Sequence, residues 1–385
     1  MRKTINKLFL IITVISALLL TTGCDLFIKT NKGQVDQKWY MGLTYEDDNG
    51  NDTDYTIGTD GTIAAVALED GYGDEFGIIK GEEAYLNINT IIKNIDKRFY
   101  VDATNNLVMF TDATKTYKTK IGGKTINETE NTDYVISFMD GKNCYVNVKF
   151  VKKYVDFDYK VVKAEGKSPA RIVLKYTSGE KNQMTVKSNI EMRTKADYQN
   201  LIVTTLKKNT KVTVLEESGD WTKVRTDDGF MGYVPAKKLK DKETKKTEFK
   251  SDADTYTHVL MNKKISLGWN AITNLTANGN LETIIEHTKG LNVISPTWYS
   301  LSDNKGNLRS YASATYVEKA HSKGLKVWAL VNDFGTQDKA SKEYTKKVLT
   351  DTTKRENLVD NIMTNIKDYN LDGINIDFCL LYTSP

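Results

Sequence analysis

Leu371-Asp372-Gly373-Ile374-Asn375-Ile376-Asp377-Phe378 decides how the C-terminal part of this chain is read. A polar, helix-like stretch over residues 354–370 runs into it. Polar residues then alternate with β-branched and aromatic ones, and a period of two marks a strand. Ile374, Ile376 and Phe378 fall on one face; Gly373, Asn375 and Asp377 fall on the other. An amide and an acid on the inward face of an otherwise apolar strand cost free energy unless they are paired or used in chemistry.

The same strand–helix alternation extends back to Lys264. Ser266-Leu267-Gly268-Trp269-Asn270-Ala271 reads as a first strand, and residues 281–289 as a helix closed by Gly290. A second strand over 291–295 ends in Pro296-Thr297-Trp298-Tyr299. A helix over 312–323 stops at Gly324, and Lys326-Val327-Trp328-Ala329-Leu330-Val331 forms a third strand ending in Asn332-Asp333. Polar and aromatic residues at the carboxyl ends of successive parallel strands are where barrel enzymes hold their sites. No glycine-rich phosphate loop follows the first strand, which argues against a nucleotide-binding sheet.

Asp372-x-x-Asn375-x-Asp377-x-Cys379 resembles the fourth-strand signature D-x-x-D-x-D-x-E of glycoside hydrolase family 18. That family comprises chitinases and peptidoglycan N-acetylglucosaminidases on a (β/α)8 barrel. Ser295-Pro296-Thr297-Trp298 and the Asn332-Asp333 strand end are similar to its spore-type members. The resemblance implies substrate-assisted retaining hydrolysis of β-1,4-linked N-acetylglucosamine, in peptidoglycan or chitin. It implies that Asp377 orients the acetamide, that Asn375 and Asp372 support Asp377, that Trp269, Trp298 and Tyr299 stack on sugar, and that Asn332 and Asp333 contact hydroxyls. Asp372 suits equally the tight Asp-Gly turn into the strand, and Trp269 and Trp298 fit either a barrel core or a sugar platform.

Two departures from the signature stand out. Position 375 is Asn rather than Asp, and position 379 is Cys379 where the family has its general-acid Glu. A thiol with an ordinary pKa of about 8.5 is a poor proton donor to an ether oxygen. As written, the chain is therefore expected to be inactive. A complete barrel takes about 250 residues, and about 120 follow Lys264. Cys379-Leu380-Leu381-Tyr382-Thr383-Ser384-Pro385 does not continue the pattern and is expected to be a non-native tail on half a catalytic domain.

The rest of the chain points to the cell surface. Arg2, Lys3 and Lys7 precede an apolar run, residues 8–20, that is too short to span a bilayer. Thr21-Thr22-Gly23-Cys24 follows, and the whole resembles a bacterial lipoprotein signal, which implies lipidation at Cys24 and anchoring to the outer face of the cytoplasmic membrane. The alternative is plain secretion. Removing the leader takes the net charge of +4 to about +1, which offers no electrostatic case for nucleic acid. His258, His287 and His321 lack ligand spacing, no Cys-x-x-Cys occurs, and no metal or other cofactor is expected. Asp47-Asp48-Asn49-Gly50-Asn51-Asp52-Thr53-Asp54 lacks the spacing of a calcium loop and reads as a solvated turn.

Trp39-Tyr40 and residues 62–68 read as strands. Gly81-Glu82-x-x-Tyr85-Leu86-Asn87-Ile88-x-x-Ile91 recurs as Gly141-Lys142-x-x-Tyr145-Val146-Asn147-Val148-x-x-Val151. Each copy leads through a helix-like stretch into a strand pair, a layout similar to the copper-amine-oxidase N-terminal-like module of surface proteins. The repeat contains no His, so no copper is inferred, and its Tyr residues read as core. Met192-Arg193-Thr194, the strands within 203–215, Trp221-Thr222-Lys223-Val224-Arg225 and Gly232-Tyr233-Val234-Pro235 resemble the bacterial SH3-like domain, in which Tyr198, Trp221 and Tyr233 are candidates to line a groove, Trp221 fitting a core position equally well.

The expected architecture is multidomain. A leader (1–23) precedes a β-rich repeat region (25–185), an SH3-like barrel (187–240), a charged linker (241–260), the first half of an α/β (β/α)8 TIM barrel (264–378) and the tail (379–385). The expected partner is peptidoglycan or another N-acetylglucosamine polymer. The competing reading is a non-catalytic wall-binding or adhesion lipoprotein.

Overall fold

The computed structural model describes residues 30–58, 60–250, 261–333 and 340–378. The leader with Cys24, the tail with Cys379 and residues 251–260 of the expected linker lie outside the described residues. The chain divides into two compact units, residues up to 100 with 108–250, and Val101–Leu107 with 261–378. Among the described residues no helix is long and apolar enough to cross a membrane.

The first unit is built on two seven-stranded sheets. The one with the larger span of sequence, within residues 62–175, comprises Thr62–Ala67 (β1), Gly77–Lys80 (β2), Glu83–Asn87 (β3), Ser137–Asp140 (β4), Asn143–Asn147 (β5), Asp158–Val162 (β6) and Ala170–Lys175 (β7). Its order is β4-β5-β3-β2-β1-β7-β6, antiparallel except for the parallel pair β1 and β7. Each repeated stretch forms a five-residue strand followed at once by a seven-residue helix, Ile88–Asn94 (α1) after β3 and Val148–Tyr154 (α2) after β5. The strands of the two copies pair with each other, Leu86 opposite Val146. Asn87 and Asn147 end these strands and cap the helices, accepting from the amides of Asn89 and Lys149 at 2.9 and 2.8 Å. Tyr85 and Tyr145 are buried in an aromatic run with Phe76 and Phe138. Cys144 is buried, and burial pushes its thiol pKa up to about 12, so it is protonated and inert at neutral pH.

The sheet with the smaller span of sequence, within residues 179–247, comprises Gly179–Val186 (β8), Ile190–Arg193 (β9), Ile202–Leu206 (β10), Lys211–Ser218 (β11), Trp221–Thr226 (β12), Met231–Pro235 (β13) and Leu239–Thr247 (β14), ordered β10-β9-β13-β12-β11-β8-β14. Strands β9 to β13 cover the five expected from the sequence. They do not stand apart from the larger sheet. Val186, Met192, Val203, Val212, Val224 and Val234 share one hydrophobic cluster with Ala65, Phe76, Ile78, Tyr85 and Tyr145. Buried Arg225 donates to the carbonyls of Leu68 and Leu174, and buried Arg171 donates to Asp228 O at 2.6 Å, its guanidinium 4.2 Å from the Phe230 ring.

Two expectations are corrected here. Residues 241–247, expected to be the start of the charged linker, belong instead to β14 (Leu239–Thr247) on the edge of the smaller sheet, paired along β8. Side chains 240–246 are all exposed, so the strand is held by main-chain bonds that leave no hydrophobic trace in the sequence. Trp39-Tyr40 is not a strand but the end of one helical turn, Gln37–Tyr40, capped by Asp36 accepting from the amides of Lys38 and Trp39. The acidic stretch after Tyr45 is the turn of a short hairpin, with Asp47 accepting from the Asn49 and Asn51 amides.

The second unit has Leu267–Asn270 (β15), Leu281–Glu286 (α3), Val293–Pro296 (β16), Tyr299–Leu301 (β17), Leu308–Ser310 (β18), Ala314–Ser322 (α4), Lys326–Asn332 (β19), Ala340–Leu349 (α5), Thr352–Asp368 (α6) and Gly373–Asp377 (β20). Strands β15, β16, β19 and β20 are parallel and adjacent in chain order. The hairpin β17–β18 and helix α5 were not read from the sequence; β17 runs beside the end of β19. Leu281, Tyr316, Val317, Ala320, Ile362 and Ile366 from α3, α4 and α6 pack on one face of the sheet, against Ile294, Val327, Ala329, Val331 and Ile374. The four parallel strands do not close into a barrel among the described residues.

Candidate functional site

Register decides which side chains share the helix-free face of the second unit. Trp269 stands opposite Ser295, Trp328 opposite Gly373, Leu330 opposite Asn375 and Asn332 opposite Asp377. With a period of two, Trp269, Ser295, Trp328, Leu330, Asn332, Asn375 and Asp377 all project to the face away from α3, α4 and α6. Their neighbours Val327, Ala329, Val331 and Ile374 carry the packing, which frees the alternate positions for polar and aromatic residues.

Several expected site residues meet on this face. Asp377 is exposed at the carboxyl end of β20, beside buried Asn332 on β19. Asn375 donates from Nδ2 to the Oγ of fully buried Ser295 at 3.4 Å, rather than to Asp377. Trp269 is 68% exposed, the most open large apolar side chain among the described residues. Asp333, one residue past β19, is buried and accepts from Thr345 Oγ1 of α5 at 2.8 Å.

Three others are placed elsewhere, and each is a correction. Trp298 is 1% exposed; its Nε1 donates to Asn278 Oδ1 at 2.8 Å and its ring meets Tyr316 edge-on at 5.1 Å, so neither ring face is open to a sugar. Tyr299 is equally buried in the same cluster, and desolvation raises its phenol pKa above the usual range. Pro296 turns the chain into β17, and both aromatics go with it into the core. Asp372 sits at the amino end of β20, about 16 Å along the strand from Asp377 at 3.3 Å per residue. It accepts from His321 Nε2 at 2.8 Å, Lys326 Nζ at 2.9 Å and the Val327 amide at 2.9 Å. Its role is to fasten β20 to β19 and α4.

Burial pushes the Asp372 pKa up, but Lys326, the Val327 amide and His321 outweigh it and hold the carboxyl below the ordinary range. A folded pKa below the unfolded one gives stability that is present above about pH 4 and lost as pH falls through the folded value. Asp372→Ala is expected to destabilise the second unit by about 2–3 kcal/mol at pH 7, the worth of hydrogen bonds to a charged acceptor. Urea denaturation at pH 7 and pH 3 checks this: the gap from the parent should narrow at pH 3, and an equal gap at both would refute the assignment.

Trp328 was missed in the sequence and belongs to the site. A Cβ on Gly373 would lie 2.9 Å from Trp328 Cδ1 and 3.1 Å from Nε1, so the glycine makes room for the indole to lie across β20. The signal was present: Trp328 and Asn332 share parity along one strand. No group of three or more His, Cys, Asp or Glu side chains among the described residues is arranged to hold a metal. In the first unit, Tyr198 and Trp221 meet edge-on at 4.8 Å, while Tyr233 lies between Arg193 and Lys223 in the sheet.

Residues 188–240 match the family described as bacterial SH3 domain. Among solved structures the chain is similar to the C-terminal domain of a protein assigned as a chitinase in Desulfitobacterium hafniense DCB-2, at 25% identity over 30% of this chain and 34% of that one, with a TM-score of 0.26. It is also similar to a chitinase from Bacteroides thetaiotaomicron, at 19% identity over 30% and 35% with a TM-score of 0.25. A chitinase from Chromobacterium violaceum ATCC 12472 aligns at 13% identity over 30% and 35% with a TM-score of 0.23. The chain spans about a third of the length of these structures. It has no match among curated proteins.

Proposed function

We propose that residues 264–378 are the first half of a family 18 glycoside hydrolase (β/α)8 barrel, carried on a lipid-anchored, wall-facing protein. One observation carries the reading: Asn375 and Asp377 of the D-x-x-N-x-D stretch lie on the helix-free face of in-order parallel strands, the same face that carries Trp269 and Trp328. Helices on one face and a polar, aromatic opposite face are what half of such a barrel requires. The substrate is a β-1,4-linked N-acetylglucosamine polymer, peptidoglycan before chitin, since a wall-associated SH3 region accompanies it.

In the reaction, the acetamido oxygen of the sugar attacks its own anomeric carbon while the glycosidic bond breaks. The bonding pair leaves with the departing oxygen, which takes a proton from a carboxylic acid. Water then opens the oxazolinium ring with retention. Asp377 is exposed where it can orient the acetamide and balance the oxazolinium charge, and Trp269 offers an open ring face for stacking. Position 379, where the acid belongs, is Cys, so this chain as written does not hydrolyse.

The test is to recover the native reading frame past Phe378 and assay the complete protein on N-acetylglucosamine oligomers. Glu at position 379, together with a loss of kcat of about 100-fold or more in Asp377→Asn, is the expected result. A native Cys379, or an Asp377→Asn variant of full activity, would sink the proposal. The non-catalytic wall-binding reading then takes its place, favoured by the SH3 match and by Cys379 itself.

A further inference from the structure

We propose that Lys187, Lys207, Lys208 and Lys238 form a docking surface for a linear phosphate polymer at one end of the smaller sheet. Three segments distant in sequence meet there. The Lys187 amide donates to Lys238 O at 2.9 Å, the Asn209 amide to Val186 O at 2.8 Å, and the Lys208 amide to Asn189 Oδ1 at 2.9 Å. Lys207 and Lys208 sit on the tight turn between β10 and β11, where Asn209 takes a φ of 69°. Lys187, Lys207 and Lys208 are exposed and Lys238 is half-buried. Lys187 Nζ also donates to Lys237 O at 2.7 Å, which draws the 187 and 237–238 segments together.

The charge on this surface is uncompensated. No carboxylate among the described residues comes within ion-pairing distance of the four ammonium groups. The adjoining β8–β14 ribbon is different: Lys242 pairs with Glu217 at 2.7 Å, Lys240 with Asp241 at 3.1 Å, and Lys181 with Glu69. Like charges gathered without counter-charge repel one another, and a polyanion relieves that repulsion.

The chemistry of the four groups fixes the class of ligand. All are lysines, hydrated point charges without the planar fork with which arginine reads a single carboxylate or phosphate. They stand on turns, not in a cleft. Such a surface recognises repeated charge along a flexible chain. None of the exposed large apolar side chains lies in these three segments, so the surface lacks the wedge that seats a basic face in a bilayer.

Fluorescence anisotropy with labelled inorganic polyphosphate and the full chain tests this. The expected result is binding that weakens steeply between about 50 and 200 mM salt, as counterion release dictates. Lys207→Glu with Lys208→Glu should weaken it about tenfold or more. Lys142→Glu with Lys167→Glu, the same charge change on exposed lysines of the larger sheet, should weaken it about twofold or less. Circular dichroism confirms that both double variants fold. Absence of binding by the parent, equal losses in the two double variants, or tighter binding to phosphatidylglycerol vesicles or to the carboxylate polymer polyglutamate would each overturn the proposal.

Discussion

Replacing Gly229 by alanine is expected to destabilise the first unit by about 2–5 kcal/mol. The residue lies on the turn between β12 and β13, closed by Gly229 N to Thr226 O at 3.1 Å, with φ at +88°. A Cβ there would stand 2.8 Å from Val173 Cγ2 and 3.0 Å from Ala67 Cβ. Those atoms belong to β7 and β1, whose parallel pairing within the larger sheet leaves Val173 and Ala67 fully packed. Overpacking of a tight core costs about 1–3 kcal/mol, and a left-handed conformation about 1–2 more for a residue with a Cβ. Tyr72, whose hydroxyl donates to Gly229 O at 3.1 Å, would lose that bond if the turn lifted away.

Urea denaturation followed by both far-ultraviolet dichroism and tryptophan fluorescence checks the prediction. The two sheets share one cluster of buried side chains, so both signals should move together to lower urea. If the SH3 region unfolded in a transition of its own, unmoved by the substitution, the shared core would be refuted.

Arg193→Ala is expected to cost about 3–5 kcal/mol, the usual loss when a buried charged network is broken. Arg193 is 1% exposed. Its Nη1 donates to the carbonyls of Asn31, Tyr198 and Asn200 at 3.0, 2.9 and 2.6 Å, and its Nη2 to Glu191. One guanidinium thus closes the loop before β10 and ties down the segment near residue 31, which also pairs at Gln34 with Ile202. Lysine cannot reproduce the fork, so Arg193→Lys should recover less than half of the loss. A thermal melt supplies the stability. The loop also sets Tyr198 against Trp221, so the emission of Trp221 should shift in both variants. A lysine variant as stable as the parent would show that charge alone, not the fan of three carbonyls, holds the loop.

How far the sequence could be read depended on which faces were buried. Alternation from Gly373 to Asp377 was legible because Ile374 packs against helices while Asn375 does not. The repeated Tyr-x-Asn stretches were legible because each Asn ends a strand and caps a helix, two local demands met by one residue. Strand β14 was not legible, since a strand exposed on both faces carries no hydrophobic period. Trp269 and Trp298 look alike in the sequence; one is 68% exposed and the other 1%. Only the path of the chain through Pro296 into β17 sends the second into the core.

The candidate site divides in the same way. Asn375 and Asp377 followed from parity, which is a local property of the strand. Trp328 required knowing that Gly373 lies opposite it, and the fastening role of Asp372 required His321 and Lys326, from residues about 50 positions earlier. The sequence by itself determined the repeated strand–helix stretches, the strand–helix alternation after residue 264 and the SH3 stretch, because each rests on contacts within a few residues. The tertiary structure alone decided that the SH3 strands share a core with the repeats, that Asp372 works at the far end of β20 from Asp377, and that four lysines from three segments gather on one surface. Those outcomes depend on register and packing between distant segments, and local periodicity does not encode them.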